Sequence, residues 1–294
     1  MTVAVLRYDE GPDVGFGHRR RIEAIASSLT AIHLDIDLGP AGPTDPINGP
    51  IVVLDSYRRR ADDAALVQGD TVVALDDLHR DLAVDLLVEP GPGADAAAPH
   101  AAREVLAGAA YSIVDPALRE RLTSSITDAP HVVLVTLGGA SGSGDLALRI
   151  AESIAAHTPG IEVRVAGSPL TPPSRHVIVL PQAAGLDAEL ARADIVVTAG
   201  GVTLLEALTL GRPVVALETA PNQRDNLDGV AAASAALFAS AIDAAEVVCE
   251  LLGDRVRREA LGAAGSELID GSGASRVANA IVRLHSTLGS RHVV

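Results

Sequence analysis

Short aliphatic runs of Val, Ile, Leu and Ala, most of them closed by Asp, Glu or Gly, recur along the chain, and this recurrence limits the fold more than any other feature. In the first half they are Thr2–Arg7, Ala31–Asp37, Ile51–Asp55, Thr71–Asp76 and Val84–Glu89. An apolar run of about four to eight residues fits a parallel strand buried on both faces. The stretches between them, notably Arg19–Leu29 and Arg59–Val67, are polar or amphipathic, as helices on a sheet would be. A polar, turn-rich break near Thr123–Pro130 follows, and the scheme restarts with His131–Leu137, Ile161–Ala166, His176–Leu180, Asp194–Thr198 and Pro213–Glu218. Helices fit at Asp145–Ala156, Leu186–Ala193, Thr203–Leu210 and Gln223–Ala233. From Ala241 onward the chain reads as mainly helical, with Asp270-Gly271-Ser272-Gly273 opening a last helix. Alternating strands and helices predict doubly wound α/β sheets. At 294 residues the chain suits two such domains. They are placed at 1–126 and 127–294, with the last helix free to pack back on the first.

Composition then removes whole classes of chemistry. Aromatic residues make up 2% of the chain and Trp is absent, so the core must be built from small and branched aliphatic side chains. No Lys occurs, and all 23 basic residues are Arg. A Schiff-base lysine and the lysine of a G-x-x-x-x-G-K-[ST] phosphate loop are therefore impossible. The net charge of −15 argues against nucleic acid and anionic membrane as partners. Cys249 is the only cysteine, which excludes an intrachain disulfide and a cysteine-based metal cluster. No apolar run approaches the ~20 residues of a membrane span, and the opening Thr2-Val3-Ala4-Val5-Leu6-Arg7 has no leader pattern. The expected location is cytoplasmic, without stable membrane insertion.

Ligands of such sheets sit beyond the carboxyl ends of the strands, and three loops there are unusual. The first is Asp13-Val14-Gly15-Phe16-Gly17-His18-Arg19-Arg20-Arg21, where two glycines let the backbone approach a ligand and His18 falls at a helix N-terminus. The positive end of the helix dipole disfavours imidazolium, which suits His18 to general-base work, although capping or a simple hydrogen bond is the plainer role. Within the Arg run, a guanidinium that reaches a phosphate competes with a merely solvated face. The second loop, Leu137-Gly138-Gly139-Ala140-Ser141-Gly142-Ser143-Gly144, offers N–H groups to phosphate oxygens. It contains Gly142-x-Gly144-x-x-Ala147, a loose dinucleotide fingerprint, but the next strand lacks the acid that a nicotinamide site wants at its end. The third, Thr198-Ala199-Gly200-Gly201-Val202-Thr203-Leu204-Leu205-Glu206, opens a helix on glycines and leads on to Asn222-Gln223. Glu206 suits a diol such as ribose, and the two amides suit sugar hydroxyls. A lone Asp35-x-Asp37 at a strand end is weak support for a metal.

Taken together, Gly15-Phe16-Gly17-His18-x-x-Arg21, Asp55-Ser56-Tyr57, Asp76-Asp77, Gly138-Gly139 and Thr198-Ala199-Gly200-Gly201-x-Thr203-x-x-Glu206 with Asn222-Gln223 resemble one family. This is the UDP-sugar hydrolase of pseudaminic acid biosynthesis, grouped with the spore-coat polysaccharide biosynthesis proteins. It is similar to the glycosyltransferase that forms lipid II. The chain departs from that family in having Gly138-Gly139-Ala140-Ser141 where Gly-Gly-Thr/Ser-Asp is usual. It also lacks the Arg that closes a Tyr-Ala-Leu-Leu/Ile-Arg stretch, here Tyr111-Ser112-Ile113-Val114-Asp115.

The resemblance implies the GT-B fold, two Rossmann-like domains with parallel sheets facing a central cleft. It implies no metal, no cofactor and a UDP-sugar as the bound partner. Gly138, Gly139, Gly200, Gly201 and Thr203 would meet the phosphates and neighbouring nucleotide, Glu206 the ribose, and Asn222 and Gln223 the sugar or pyrophosphate. His18 would be the catalytic base that activates water for inverting attack on the anomeric carbon. Asp9, Gly15, Gly17, Arg21, Asp55, Tyr57 and Tyr111 complete the implied substrate-binding set. A nucleotide-sugar hydrolase of surface-glycan or secondary-metabolite sugar biosynthesis is thus the first reading, and an inverting glycosyltransferase with a hydroxyl acceptor the alternative. A nicotinamide oxidoreductase and a non-catalytic nucleotide-sugar-binding subunit are more remote.

Overall fold

A computed structural model describes residues 2–11, 14–121, 126–139, 142–167, 176–180 and 186–289. The chain divides into two units: Met1–Gly11, Phe16–Pro116 and Gly271–Val294 form the first, and Pro12–Gly15 and Ala117–Asp270 the second. The C-terminal helix thus belongs to the first unit.

The first unit holds β1 (Val3–Tyr8), α1 (Gly17–Ala31), β2 (Asp35–Pro40), β3 (Ile47–Asp55), β4 (Val67–Leu75), β5 (Leu86–Glu89) and β6 (Glu104–Ala107). Its six strands are parallel in the order β2-β1-β3-β4-β5-β6. Side chains alternate between faces along each strand. Ile51 and Val53 meet the core under α1, while Val52 and Leu54 enter a second core on the opposite face. Helix α1 buries Ile22, Ile25 and Leu29, one stripe of its surface. The final helix, which becomes α8 (Gly273–Gly289), adds Val277, Ile281 and Leu284 to the same core. Each such side chain stabilises the unit by about 1.5–3 kcal/mol.

Among the described residues of this unit no α-helix covers the opposite face, which departs from the strand–helix repeat read in the sequence. Residues Arg59–Val67 turn instead of winding. The Asp63 side chain accepts from Ala65 N at 3.1 Å, and its carbonyl from Leu66 N and Val67 N. Asp offers the backbone a local partner that competes with the helix. The Arg59 guanidinium then fastens the turn to the carbonyls of Gly42 and Asp45 at 2.8 and 2.9 Å. Strand β2 begins at Asp35 rather than Ala31, because α1 runs on to Ala31 and His33 turns the chain at φ 69°.

The second unit holds β7 (Val132–Thr136), α2 (Ser143–His157), β8 (Glu162–Val165), β9 (Val177–Val179), α3 (Leu186–Arg192), β10 (Ile195–Ala199), α4 (Val202–Thr209), β11 (Val214–Leu217), α5 (Arg224–Ala232), β12 (Leu237–Phe238), α6 (Ala244–Gly253) and α7 (Arg255–Leu268). Its strands are also all parallel, in the order β12-β11-β10-β7-β8-β9. Here the helices predicted from Asp145 to Ala233 all form, each within a few residues of its expected ends.

Candidate functional site

In each sheet the chain leaves one strand, builds outward on one side and returns to build on the other, so a switch point lies between β1 and β3 and another between β7 and β10. Ligands of open parallel sheets bind at such points. All three unusual loops of the sequence start there.

At the first switch point Gly17 opens α1, and His18 and Arg21 share one helix face three residues apart. Both turn onto Asp55, the last residue of β3, whose Cα pairs in register with Tyr8 of β1. His18 Nδ1 lies 2.5 Å from Asp55 Oδ1. Arg21 Nε donates to Oδ2 and Nη2 to Oδ1, each at 2.8 Å. Arg21 Nη1 donates to Asp77 Oδ2 at 2.9 Å, and the Tyr57 hydroxyl donates to the same oxygen at 2.9 Å. The rings of Tyr57 and His18 meet edge-on with centroids 4.2 Å apart. His18, Arg21 and Asp55 are 4%, 8% and 1% exposed, so solvent screens these charges little.

The network fixes the imidazole tautomer. An ionised carboxylate only accepts, so Nδ1 must carry the proton that points at Asp55, and Arg21 Nη2, 3.2 Å from Nδ1, is a second donor to the same oxygen rather than to the ring. In the neutral ring the lone pair is then on the other nitrogen, Nε2. Burial would lift the Asp55 carboxyl, but the Arg21 guanidinium and His18 outweigh it and hold the group below the usual carboxylate range. Arg21 loses solvation too, yet Asp55 and Asp77 keep it firmly charged.

Other expected residues are placed differently. Asp9 accepts from Ser56 Oγ at 2.6 Å, Tyr57 N at 2.8 Å and Arg58 N at 3.2 Å, so it holds the turn after β3. Each nitrogen of the Arg21 guanidinium donates one hydrogen bond to a carboxylate, so Arg21 holds Asp55 and Asp77 in place. Tyr111 ends a 3₁₀ turn, Ala109–Tyr111, and packs on the core beneath α1 and α8. Gly15 is half-buried just before α1. Asp37 forms a two-pronged pair with Arg7, at 3.2 and 2.7 Å, which gives Asp35-x-Asp37 a plain structural role. Among the described residues no cluster of three His, Cys, Asp or Glu side chains is arranged to hold a metal ion.

At the second switch point the glycines divide into two kinds. Gly138 has φ +85° and a side chain there would face open space, while Ser143 Oγ closes the loop onto its carbonyl at 2.8 Å. Gly201, just before α4, is similarly open. Gly139 is exposed. These positions let a ligand reach the backbone, and α4 adds the N–H groups of its first turn. Gly200 is a packing glycine, since a Cβ there would lie 2.8 Å from Leu227 Cγ and 2.9 Å from Gln223 Cβ. Gln223 Oε1 accepts from Gly200 N, Thr219 N and Thr219 Oγ1, and Asn226 Nδ2 donates to the Gly200 carbonyl. Gln223 therefore braces the turn. Asn222 is half-buried in the 3₁₀ turn Pro221–Gln223. Thr203 is half-buried, and Glu206, one turn further along α4, is 2% exposed. Ala140 and Ser141 lie outside the described residues.

No family model matches the chain, and no curated protein does. Solved structures match along nearly its full length. The spinosyn forosaminyltransferase SpnP covers 97% of this chain and 99% of its own, with a TM-score of 0.65 at 13% identity. The spinosyn rhamnosyltransferase SpnG complexed with thymidine diphosphate covers 96% and 99%, with a TM-score of 0.63 at 16% identity. The S. aureus MnaA–UDP co-structure covers 96% of both chains, with a TM-score of 0.68 at 12% identity. At these identities the likeness establishes architecture.

The fold is GT-B. Within the GT-B frame, the buried His18–Asp55–Arg21 group belongs to the first Rossmann-like unit and the glycine turns to the second. Sequence reasoning missed the braces Arg80, which donates to Asp76 Oδ1 and to the Ser56 carbonyl, and Asn226, and the buried acid Glu89. Glu89 carried the same signal as Asp55, an acidic residue closing an aliphatic run.

Proposed function

We propose that this chain is an inverting glycosyltransferase that moves a sugar from a nucleoside diphosphate to a hydroxyl acceptor. The observation that carries it is the buried Asp55 that holds His18 Nδ1–H and leaves Nε2 as a base at the switch point of the first sheet. Likeness along the whole chain to a forosaminyl- and a rhamnosyltransferase supports a hydroxyl acceptor over water. The motif resemblance to the hydrolases supports the same donor chemistry and differs only in the acceptor. UDP is the first expectation for the nucleotide and TDP the second, the two nucleotides in the titles of the matched structures.

In this reading the acceptor oxygen attacks the anomeric carbon on the side opposite the diphosphate, and its proton passes to His18 Nε2. Asp55 steadies the imidazolium, as a carboxylate does in a His–Asp pair. The bond from the anomeric carbon to the diphosphate oxygen breaks with its electron pair on the diphosphate. Backbone N–H groups at Gly138, Gly139 and Gly201 and the first turn of α4 meet that charge, with Thr203 beside them. Arg21 positions Asp55.

The test is release of nucleoside diphosphate from a panel of UDP-, GDP- and TDP-sugars, with and without acceptor alcohols and with and without EDTA, the products weighed by mass spectrometry. Turnover should need an acceptor alcohol and survive EDTA. His18→Ala should lower it by about 10²–10⁴-fold with nucleoside diphosphate affinity retained. Full turnover in His18→Ala would remove the base from the mechanism, and a free reducing sugar as sole product would return the chain to the hydrolase reading.

A further inference from the structure

Aromatic side chains are scarce in this chain, two Phe and three Tyr in 294 residues, so their placement carries weight. Phe16, the residue before α1, is 58% exposed; Tyr57, two residues past β3, is 37% exposed; and Leu78, in the loop after β4, is 42% exposed. Strands β1, β3 and β4 are neighbours, with Asp55 in register with Tyr8 on one side and Leu75 on the other. The three side chains therefore belong to adjacent loops at one carboxyl edge. Each is tied to the buried histidine. Phe16 lies two residues before His18, and the Tyr57 ring stands edge-on to the imidazole at 4.2 Å. Leu78 follows Asp77, whose Oδ2 accepts from both Tyr57 and Arg21. Single exposed apolar side chains are ordinary on a protein surface, but a group of them at one place marks a binding surface.

The acids of the same loops are turned inward. Asp9 accepts from Ser56 Oγ and from the backbone of Tyr57 and Arg58. Asp76 is held by the backbone N–H and Nε of Arg80 at 2.7 and 2.6 Å. Asp55 and Asp77 share Arg21. What the loops offer outward at Phe16, Tyr57 and Leu78 is mostly carbon. The next loop along the edge, after β5, continues the trend. Its stretch Pro90–Pro99 has one charged residue, Asp95, whose Oδ1 accepts from Ala97 N at 2.8 Å, and Ala96, Ala97 and Ala98 are exposed. A sugar or polyol is recognised through open donors and acceptors, an apolar ring through contact area; this edge offers the second. The net charge of −15 opposes an anionic guest or membrane surface and leaves a neutral guest unaffected. From β1 to β4 is two strand spacings, about 10 Å, the span of a small fused ring system.

We infer that Phe16, Leu78 and the Tyr57 ring form an apolar acceptor face, and that the acceptor is a compact, uncharged alcohol built on an apolar ring system. The acceptor role rests on the transferase reading, whereas the binding of an apolar ring at Phe16 does not. Phe16 and Phe238 are the two phenylalanines of the chain and belong to different units. The full chain labelled with para-fluorophenylalanine therefore gives two ¹⁹F signals, which Phe16→Leu assigns, and Phe238 serves as the control. The labelled protein is titrated with decalinol, with methyl glucoside and with phosphatidylcholine vesicles, and calorimetry with UDP and TDP runs in parallel. Decalinol should move the Phe16 signal to saturation and leave Phe238 in place, and methyl glucoside should move neither. Phe16→Ser and, separately, Leu78→Ser should weaken decalinol binding by roughly 10–100-fold and raise the acceptor KM by a like factor, with kcat and nucleotide affinity kept. Serine is a favoured helix N-cap, so Phe16→Ser retains α1, and Phe16→Leu should bind decalinol close to the wild type. A Phe16 signal that decalinol does not move, while UDP or TDP binds, would overturn the apolar face and leave the transferase standing. Decalinol bound at Phe16, with no nucleotide bound by the wild type, would uphold the face and bring down the transferase. A response to methyl glucoside or to vesicles in place of decalinol, or equal shifts at Phe16 and Phe238, would also overturn the face, as would folded serine variants that bind decalinol as the wild type does.

Discussion

Replacing Asp55 with Asn probes the first unit at its most connected residue, with a change of one atom. The wild-type carboxylate accepts from His18 Nδ1, Arg21 Nε and Arg21 Nη2. An amide has one acceptor oxygen and one NH₂ group, so it cannot serve all three donors. If the oxygen faces Arg21 Nε, the NH₂ confronts His18 and Arg21 Nη2; the imidazole then relieves the conflict by moving its proton to Nε2. The base would lose its lone pair, and in His–Asp enzymes the matching change costs about 10⁴ in kcat. Stability falls as well, because Arg21, 8% exposed, keeps only Asp77 as an ionic partner. Removing one member of a buried pair costs about 3–5 kcal/mol. Asn retains part of the hydrogen bonding, so the lower end is expected, about 3 kcal/mol, or about 1–2 M in the urea midpoint at typical slopes. The loss should depend on pH with a definite sign. Asp55 is held below the usual carboxylate range, so its contribution is fully present above the unfolded value near pH ~4 and disappears as pH falls through the folded value. Urea unfolding of wild type and variant at pH 7 and pH 3.5, with turnover of the folded variant, measures all of this. A folded Asp55→Asn enzyme within a few-fold of wild-type kcat would refute the tautomer assignment. A stability gap that widens towards acid would refute the electrostatic one.

Three further outcomes follow from single contacts. Burial raises the Glu89 carboxyl, with His100 and His79 pulling down and Asp76 up; its ionised form therefore weakens the fold as pH rises, and Glu89→Gln should gain in Tm over wild type between pH 4.5 and pH 8, a trend whose reversal would contradict the burial argument. Gly200→Ala places a Cβ 2.8 Å from Leu227 Cγ; it should push α5 off the turn, cost about 1–3 kcal/mol and weaken nucleotide binding by calorimetry, and unchanged affinity would separate the turn from the donor site. In Gly273→Ala the added carbon would collide with the Ser112 carbonyl, so α8 should loosen from the first unit, seen as faster amide exchange in α8 and β4 with the second unit unaffected.

The glycine-rich loops and the acids at strand ends were legible because their positions follow from local rules: a parallel strand reads as an aliphatic run, and the residue after it lies at the carboxyl edge. His18 could be picked out for the same reason, as the residue that opens the first helix. By itself the sequence therefore determined two α/β halves, the three loops that carry chemistry and the absence of any lysine-based mechanism. What it could not decide is which side chains use one another. Asp9, Arg21 and Gln223 read as ligand groups, but their partners sit 48, 34 and 23 residues away, and only the parallel pairing of β1, β3 and β4 or the packing of α5 on the Gly200 turn brings them together. Turns in place of a helix at Arg59–Val67, the return of α8 to the first unit and the burial of Glu89 between His79 and His100 are tertiary facts of the same kind. Each is settled by which distant group satisfies a buried charge or covers an apolar face, and no local pattern records that choice.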